Sequence, residues 1–325
     1  MQVDFFEVLI TVFALVLLAV PGFILKKCKL LPENATKTLT TVLLFVSQAF
    51  LTFMSFQKTP YRDDILVNML VMAGIALLGH LVMIGIVCLL FLKKGGKDKK
   101  INVIKFASVF GNCGFLGLPF LQTMFEGQPE IVIYGAVIVA VFNLLSWTVG
   151  IFLITGDKKF ISLKKAVINP PFLALLVSLP LFIILKTPLA EVGTGTVNFL
   201  LAKLSSSMNF LADMVTPLSM IILGIRLAEM DVKRVFTNKW VYISSGLKLV
   251  AMPLVAFAIV SLIPAIALEV RCALFFTFCM PTATQTLLFS EQYDGEPFTA
   301  SSAVLLNTVL SIATIPLMSL FLNLL

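Results

Sequence analysis

The chain has 325 residues, 59% of them hydrophobic and only 13% charged, with a mean hydropathy of +1.04. A soluble domain of this length carries about twice that charged fraction, so composition excludes an ordinary water-facing enzyme. The net charge of +7 resides in short loops between apolar blocks, with no aromatic-and-basic stripe suited to bases, which excludes nucleic acid and points to membrane topology.

Blocks of about 20 apolar residues match the thickness of a bilayer at the rise of an α-helix. Lipid offers the backbone no hydrogen-bond partner, and the alternation of barrel strands is absent, so the spans are helices. In chain order they are predicted at 5–25, 36–56, 65–92, 101–125, 131–154, 168–185, 207–228, 240–263, 271–290 and 298–324. The fold class is an all-α membrane protein of ten transmembrane helices. Met1–Val8 carries Asp4 and Glu7 and no basic residue, unlike a signal-peptide start, so the first block is expected to remain as a span. The connections are Lys-rich turns at Lys93–Lys100 and Asp157–Lys165 and a longer loop at Lys186–Ser205, none long enough for a soluble domain. Cys28, Cys88, Cys113, Cys272 and Cys279 show no metal-like spacing, and neither a metal nor a cofactor is expected.

Orientation follows from the basic residues. One side holds Lys26, Lys27, Lys29, Lys37, Lys93, Lys94, Lys97, Lys99, Lys100, Lys105, Lys158, Lys159, Lys164, Lys165, Arg226, Lys233, Arg234 and Lys239. The other holds Lys58, Arg62, Lys186, Lys203 and Arg271, and Lys248 lies within a span. That bias places both termini outside the cell membrane and makes the span count even. The sequon Asn34-Ala35-Thr36 then falls on the cytoplasmic side, where glycosylation is not expected.

The spans divide five and five, as residues 1–155 and 168–325 around a connector at 156–167, and halves of odd span number have opposite orientations. Span four reads Phe110-Gly111-Asn112-Cys113-Gly114-Phe115-Leu116-Gly117-Leu118-Pro119, too rich in glycine and proline for a straight helix. Its counterpart, span nine, reads Cys279-Met280-Pro281-Thr282-Ala283-Thr284-Gln285-Thr286. Val46-Ser47-Gln48 and Val215-Thr216-Pro217 align loosely in spans two and seven. Interrupted segments at matching positions of inverted halves point to a transporter site at the midplane. Half-helix N-termini meeting there carry partial positive charge and favour a carboxylate. The bland alternative is that glycine and proline only set kinks and close packing.

These residues resemble the auxin efflux carrier family, which includes bacterial organic-acid permeases and the plant PIN carriers. The likeness rests on Gly111–Pro119, Asn169-Pro170-Pro171, Thr216-Pro217-Leu218 with Gly224, Lys248-Leu249 with Pro253, Pro281 with Ala283, and Ala300-Ser301-Ser302 through Thr308, Ser311 and Ile315-Pro316. The resemblance implies two inverted five-helix repeats, a scaffold and a transport domain with spans four and nine crossing, carriage of small carboxylates, and a homodimer. A connector of about a dozen residues in place of the long PIN loop, and Gln48 where many relatives have proline, set the chain nearer to the organic-acid permeases.

Ionisable groups within spans cost roughly 2.5–3.5 kcal/mol at the centre, so each needs a reason. Lys248 is a candidate ligand for the substrate carboxylate, against an ion pair with Asp213. Asp213 and the lone histidine, His80, are candidates for a coupling proton or sodium, against a structural pair and a packing role. Asn112, Gly114, Pro119, Pro281, Thr282, Thr284 and Gln285 complete the candidate substrate site, against capping of the broken helices. Asn143 and Asn307 read as interhelical hydrogen bonds.

The function expected is a secondary transporter moving a small organic anion, such as a dicarboxylate or an auxin-like acid, by alternating access. No Walker motif is present to couple ATP, and no paired carboxylates, HExxH or Ser-His set supports an intramembrane enzyme. The rival is a carrier-fold sensor that binds a small ligand without moving it.

Overall fold

The computed structural model describes residues 3–92, 98–229, 238–263 and 265–324. Lys93, Lys94 and Lys97 of the basic turn, and Lys233 and Arg234, lie outside the described residues. Among those described, regular structure is all helical. Eight helices are long and apolar enough to cross a membrane: α1 (Phe5–Lys27), α2 (Ala35–Lys58), α3 (Asp63–Leu90), α6 (Pro129–Thr155), α7 (Pro170–Glu191, its last turn set off by Lys186), α8 (Gly195–Glu229), α9 (Lys239–Leu262) and α12 (Pro297–Leu324). Predicted span four is two pieces, α4 (Lys99–Val109) and α5 (Cys113–Met124), and predicted span nine is α10 (Leu268–Cys279) and α11 (Gln285–Gln292).

Local chemistry sets the ends. Asp4 accepts from the N–H groups of Phe6 and Glu7 to start α1, and Asn169 caps α7 through Phe172 N–H, with Pro170 in the first turn where no N–H is needed. The loop predicted over Lys186–Ser205 is shorter, because α8 begins at Gly195. Lys203 and Ser205–Ser207 read as polar connector, yet the apolar residues Val197, Leu200 and Leu201 recur at helical spacing and carry the helix through them. α8 is then interrupted at Met214, just before Thr216-Pro217, and α2 widens into a π-helical turn at Leu43–Ser47, just before Gln48. The two loosely aligned positions of spans two and seven are both irregular.

Two groups of helices pack internally. α1 and α2 lie against α7 and α8, while α3, α4, α6, α9, α10, α11 and α12 surround the two interruptions. Gly22 and Gly224 bring α1 and α8 backbone to backbone: a Cβ at Gly22 would run into Ile221 O, and one at Gly224 into Ala19 O. The groups meet along α1–α12 and α2–α6. The outer surface is apolar, with Leu70, Ile184, Phe210 and Leu262 each more than 70% exposed, which suits lipid and not water.

Polar contacts mark the two ends of the bundle. At one, Asn323 and Val3 exchange two hydrogen bonds of 2.9 and 3.1 Å, and Arg62 stands 3.8 Å from Glu130. At the other, Lys26 pairs with Glu229 (2.8 Å), Lys99 with Asp294 (2.6 Å), and Lys165 reaches the Tyr293 hydroxyl (3.1 Å). The beginning and the end of the chain thus share one end.

Candidate functional site

α10 stops where Met280, the residue before Pro281, turns extended, as a residue preceding proline prefers. α4 stops where Phe110 turns extended into Gly111-Asn112. The two extended pieces lie antiparallel, with a bridge between Gly111 and Thr282. Asn112 N–H donates to Pro281 O (2.7 Å) and Ala283 N–H to Phe110 O (2.9 Å). Each broken helix therefore satisfies part of the backbone that the other exposes, a requirement where no water is at hand.

Three of the carbonyls freed at the breaks are met by a side chain from another segment. An unbroken α4 would bond Ala107 O to the N–H of residue 111; instead Thr282 Oγ1 donates to it at 2.7 Å. Cys113–Gly117 forms a π-helical turn in which Leu118 N–H reaches Cys113 O, so the next donor due is residue 119, and Pro119 has none. Gln48 Nε2 fills that vacancy, donating to Gly114 O at 2.8 Å. Phe278 O would accept from residue 282 in a continuous α10; Lys248 Nζ donates to it at 3.0 Å. Lys248 is fully buried in a π-helical turn, Leu247–Ala251, and Gly111 makes room for it, since a Cβ there would lie 2.8 Å from both Lys248 Cε and Nζ.

The remaining candidates sort by exposure. Thr282 is buried and also accepts from Asn307 Nδ2 on α12, so Asn307 forms the interhelical bond read from the sequence. Asn112 is 7% exposed and its Oδ1 accepts from Phe115 N–H at 3.3 Å, capping α5. Pro119 and Pro281 are buried. Gly114, Thr284 and Gln285 are half-exposed, and among the described residues the backbone N–H groups of Thr284 and Gln285 have no carbonyl partner outside their own helix. They lie in the first turns of α5 and α11 or just before, where helix N–H groups have no partner of their own.

His80 sits behind this cluster, its Nδ1 2.7 Å from Ala76 O and its ring edge-on to Phe278. Asp213 is exposed, accepts from Asn209 Nδ2 (3.2 Å), and forms no ion pair with Lys248. The structure thus gathers Asn112, Gly114, Thr282 and Lys248 with Pro281 at the paired breaks, while Asp213 keeps other company. Gln48 and Gly111 were not among the predicted site residues. Their signal was present: a lone glutamine in an apolar span, and a glycine directly beside the capping Asn112.

An all-helical bundle with an apolar outer surface, whose interrupted helices meet in its interior, is a multi-pass membrane protein of the transporter class, and comparison with known proteins agrees. The sequence profile of the membrane transport protein family matches residues 7–162 and 157–319. The chain belongs to that family, the auxin efflux carriers whose motifs it resembles. It is 27% identical to an uncharacterized transporter of Methanocaldococcus jannaschii, over 94% of this chain and 96% of the relative. An uncharacterized transporter of Methanothermobacter thermautotrophicus is also 27% identical, over 95% and 96% respectively. The chain is a membrane transporter and not an enzyme.

Proposed function

We propose that the protein is a ten-span secondary transporter of small organic anions, built from two inverted five-helix halves, with the substrate carboxylate held at the paired breaks. The observation that carries the reading is the pair of N–H groups of Thr284 and Gln285 at the start of α11, which have no carbonyl partner outside their own helix, together with the half-exposed start of α5 and the buried ammonium of Lys248. Helix N-termini and a nearby cation favour a negative group, and in a low dielectric their field is weakly screened. Asn112, Thr284 and Gln285 are the side chains that contact the solute; Lys248 acts through its charge. Apart from Asp213, the acidic side chains of the described residues all belong to the predicted loops and span ends. A transported anion is then the natural counter-charge of Lys248.

The division of the helices supports alternating access. The group around the breaks slides against α1, α2, α7 and α8, and Gln48 on α2 touches the site from across that boundary. Both termini face outward in this reading. The shared end of Val3 and Asn323 supports an even span count, and the basic residues around Lys26, Lys99 and Lys165 at the opposite end support its cytoplasmic assignment.

The test is a melting-temperature screen of mono- and dicarboxylates on the purified protein, followed by flux of the best binder in proteoliposomes. Selective stabilisation and counterflow are expected. Binding without flux favours a sensor; stabilisation by cationic or neutral solutes alone contradicts the reading. Tags at Met1 and Leu325 are both expected to be reached from outside, and finding them on opposite sides removes the ten-span scheme.

A further inference from the structure

We propose that Lys248 is a built-in substitute for a bound coupling cation, so that the carrier works without sodium. The carbonyl end of α10 carries the negative pole of a half-helix, and its last turn cannot be closed because the chain turns extended at Met280. Inside hydrocarbon such an end needs a cation or a strong donor. Transporter folds commonly meet that need with a sodium ion or proton held by unwound carbonyls. Here the place is taken: Lys248 Nζ donates to Phe278 O at 3.0 Å. The carbonyl of Met280 borders the same spot, 3.3 Å from the point where a Cβ on Gly111 would stand, which is itself 2.8 Å from Nζ. Lys248 is wholly buried, and no carboxylate among the described residues pairs with it. Its stem enters from α9, so the charge is tethered to the helices that carry the breaks and travels with them. A tethered cation cannot be exchanged with either solution, so a sodium gradient has nothing to act on at this position. Glycine at 111 is what leaves room for the ammonium group.

This inference adds to the anion reading by naming what neutralises the carbonyl end, but its test contains no organic anion. Failure here leaves that reading standing. Melting temperatures are compared in sodium chloride and in choline chloride at equal concentration, for the wild type, Lys248→Gln and Lys248→Ser. The two variants remove the charge and leave an oxygen able to join a sodium shell, and all three proteins are purified in sodium chloride. The wild type is expected to melt at the same temperature in both salts. The variants are expected to melt about 3 °C or more higher in sodium, the shift a newly bound ion produces by mass action. Sodium stabilisation of the wild type overturns the proposal. So does a variant that melts equally in both salts, because the carbonyl seat then takes no ion. Failure of both variants to fold in sodium chloride also counts against it.

Discussion

The two breaks do the same job with different means. The one between α4 and α5 is made of glycine, asparagine and a π-helical turn, and its second half is held by its own Asn112 and by Gln48 from α2. The one between α10 and α11 is made by Pro281 and stitched from outside: Thr282 ties it to Ala107 on α4 and Asn307 on α12, and Lys248 on α9 closes its carbonyl end. Its stitches come from helices that pack around it, whereas Gln48 reaches the first break from the neighbouring group of helices. The α10–α11 break is thus held within its own group of helices, whereas the α4–α5 break is tied through Gln48 to the other group.

Thr282→Val sharpens that contrast most. It keeps the shape but strips a hydroxyl with two partners, leaving Ala107 O and the Asn307 amide unpaired in a buried site. A loss of about 2–4 kcal/mol is expected, read as a large drop in melting temperature. Gln48→Leu orphans only Gly114 O, half-buried, and should cost about 1–2 kcal/mol, with transport impaired more than binding because the contact joins the two groups. A Gln48→Leu protein with wild-type flux contradicts a role for this tie in transport. Asn112→Ala removes the cap on Phe115 N–H and should cost about 0.5–2 kcal/mol in stability, with carboxylate binding weakened by about 1–3 kcal/mol. Gln285→Ala has the smallest structural effect. No hydrogen bond of its side chain is recorded among the described residues, so stability should move by about 0.5 kcal/mol or less, while binding falls by about 1–3 kcal/mol.

Most of the helical plan was legible because bilayer thickness imposes a length on every span, and seven of the eight long helices begin within two residues of the predicted limit. The α8 start was missed because Lys203 and three successive serines look like connector when hydropathy alone is read. The breaks were legible too, since Gly111, Pro119 and Pro281 have few roles in a membrane helix other than to bend or end it. What fills each orphan carbonyl was not. A buried charge calls for an opposite one, so the sequence offers Lys248 a substrate carboxylate or Asp213; the structure gives it a helix's carbonyl end, which no charge count reveals. Gln48 stands out in the sequence as part of the loosely aligned position of span two and as a replacement for proline, but its partner, Gly114 O, is orphaned by Pro119, 71 positions along the chain from Gln48. Backbone vacancies of this kind exist only once the helices are drawn turn by turn.

The central claim is that the paired breaks hold an anion through Gln285 and Asn112 while staying folded without it. The direct measurement is the affinity of the wild type, Gln285→Ala and Asn112→Ala for the best carboxylate from the melting screen, taken with each protein's ligand-free melting temperature. The account predicts roughly 10- to 100-fold weaker binding by both variants, with Gln285→Ala melting like the wild type in the absence of ligand. Wild-type affinity in Gln285→Ala and Asn112→Ala alike contradicts it and reduces both side chains to caps.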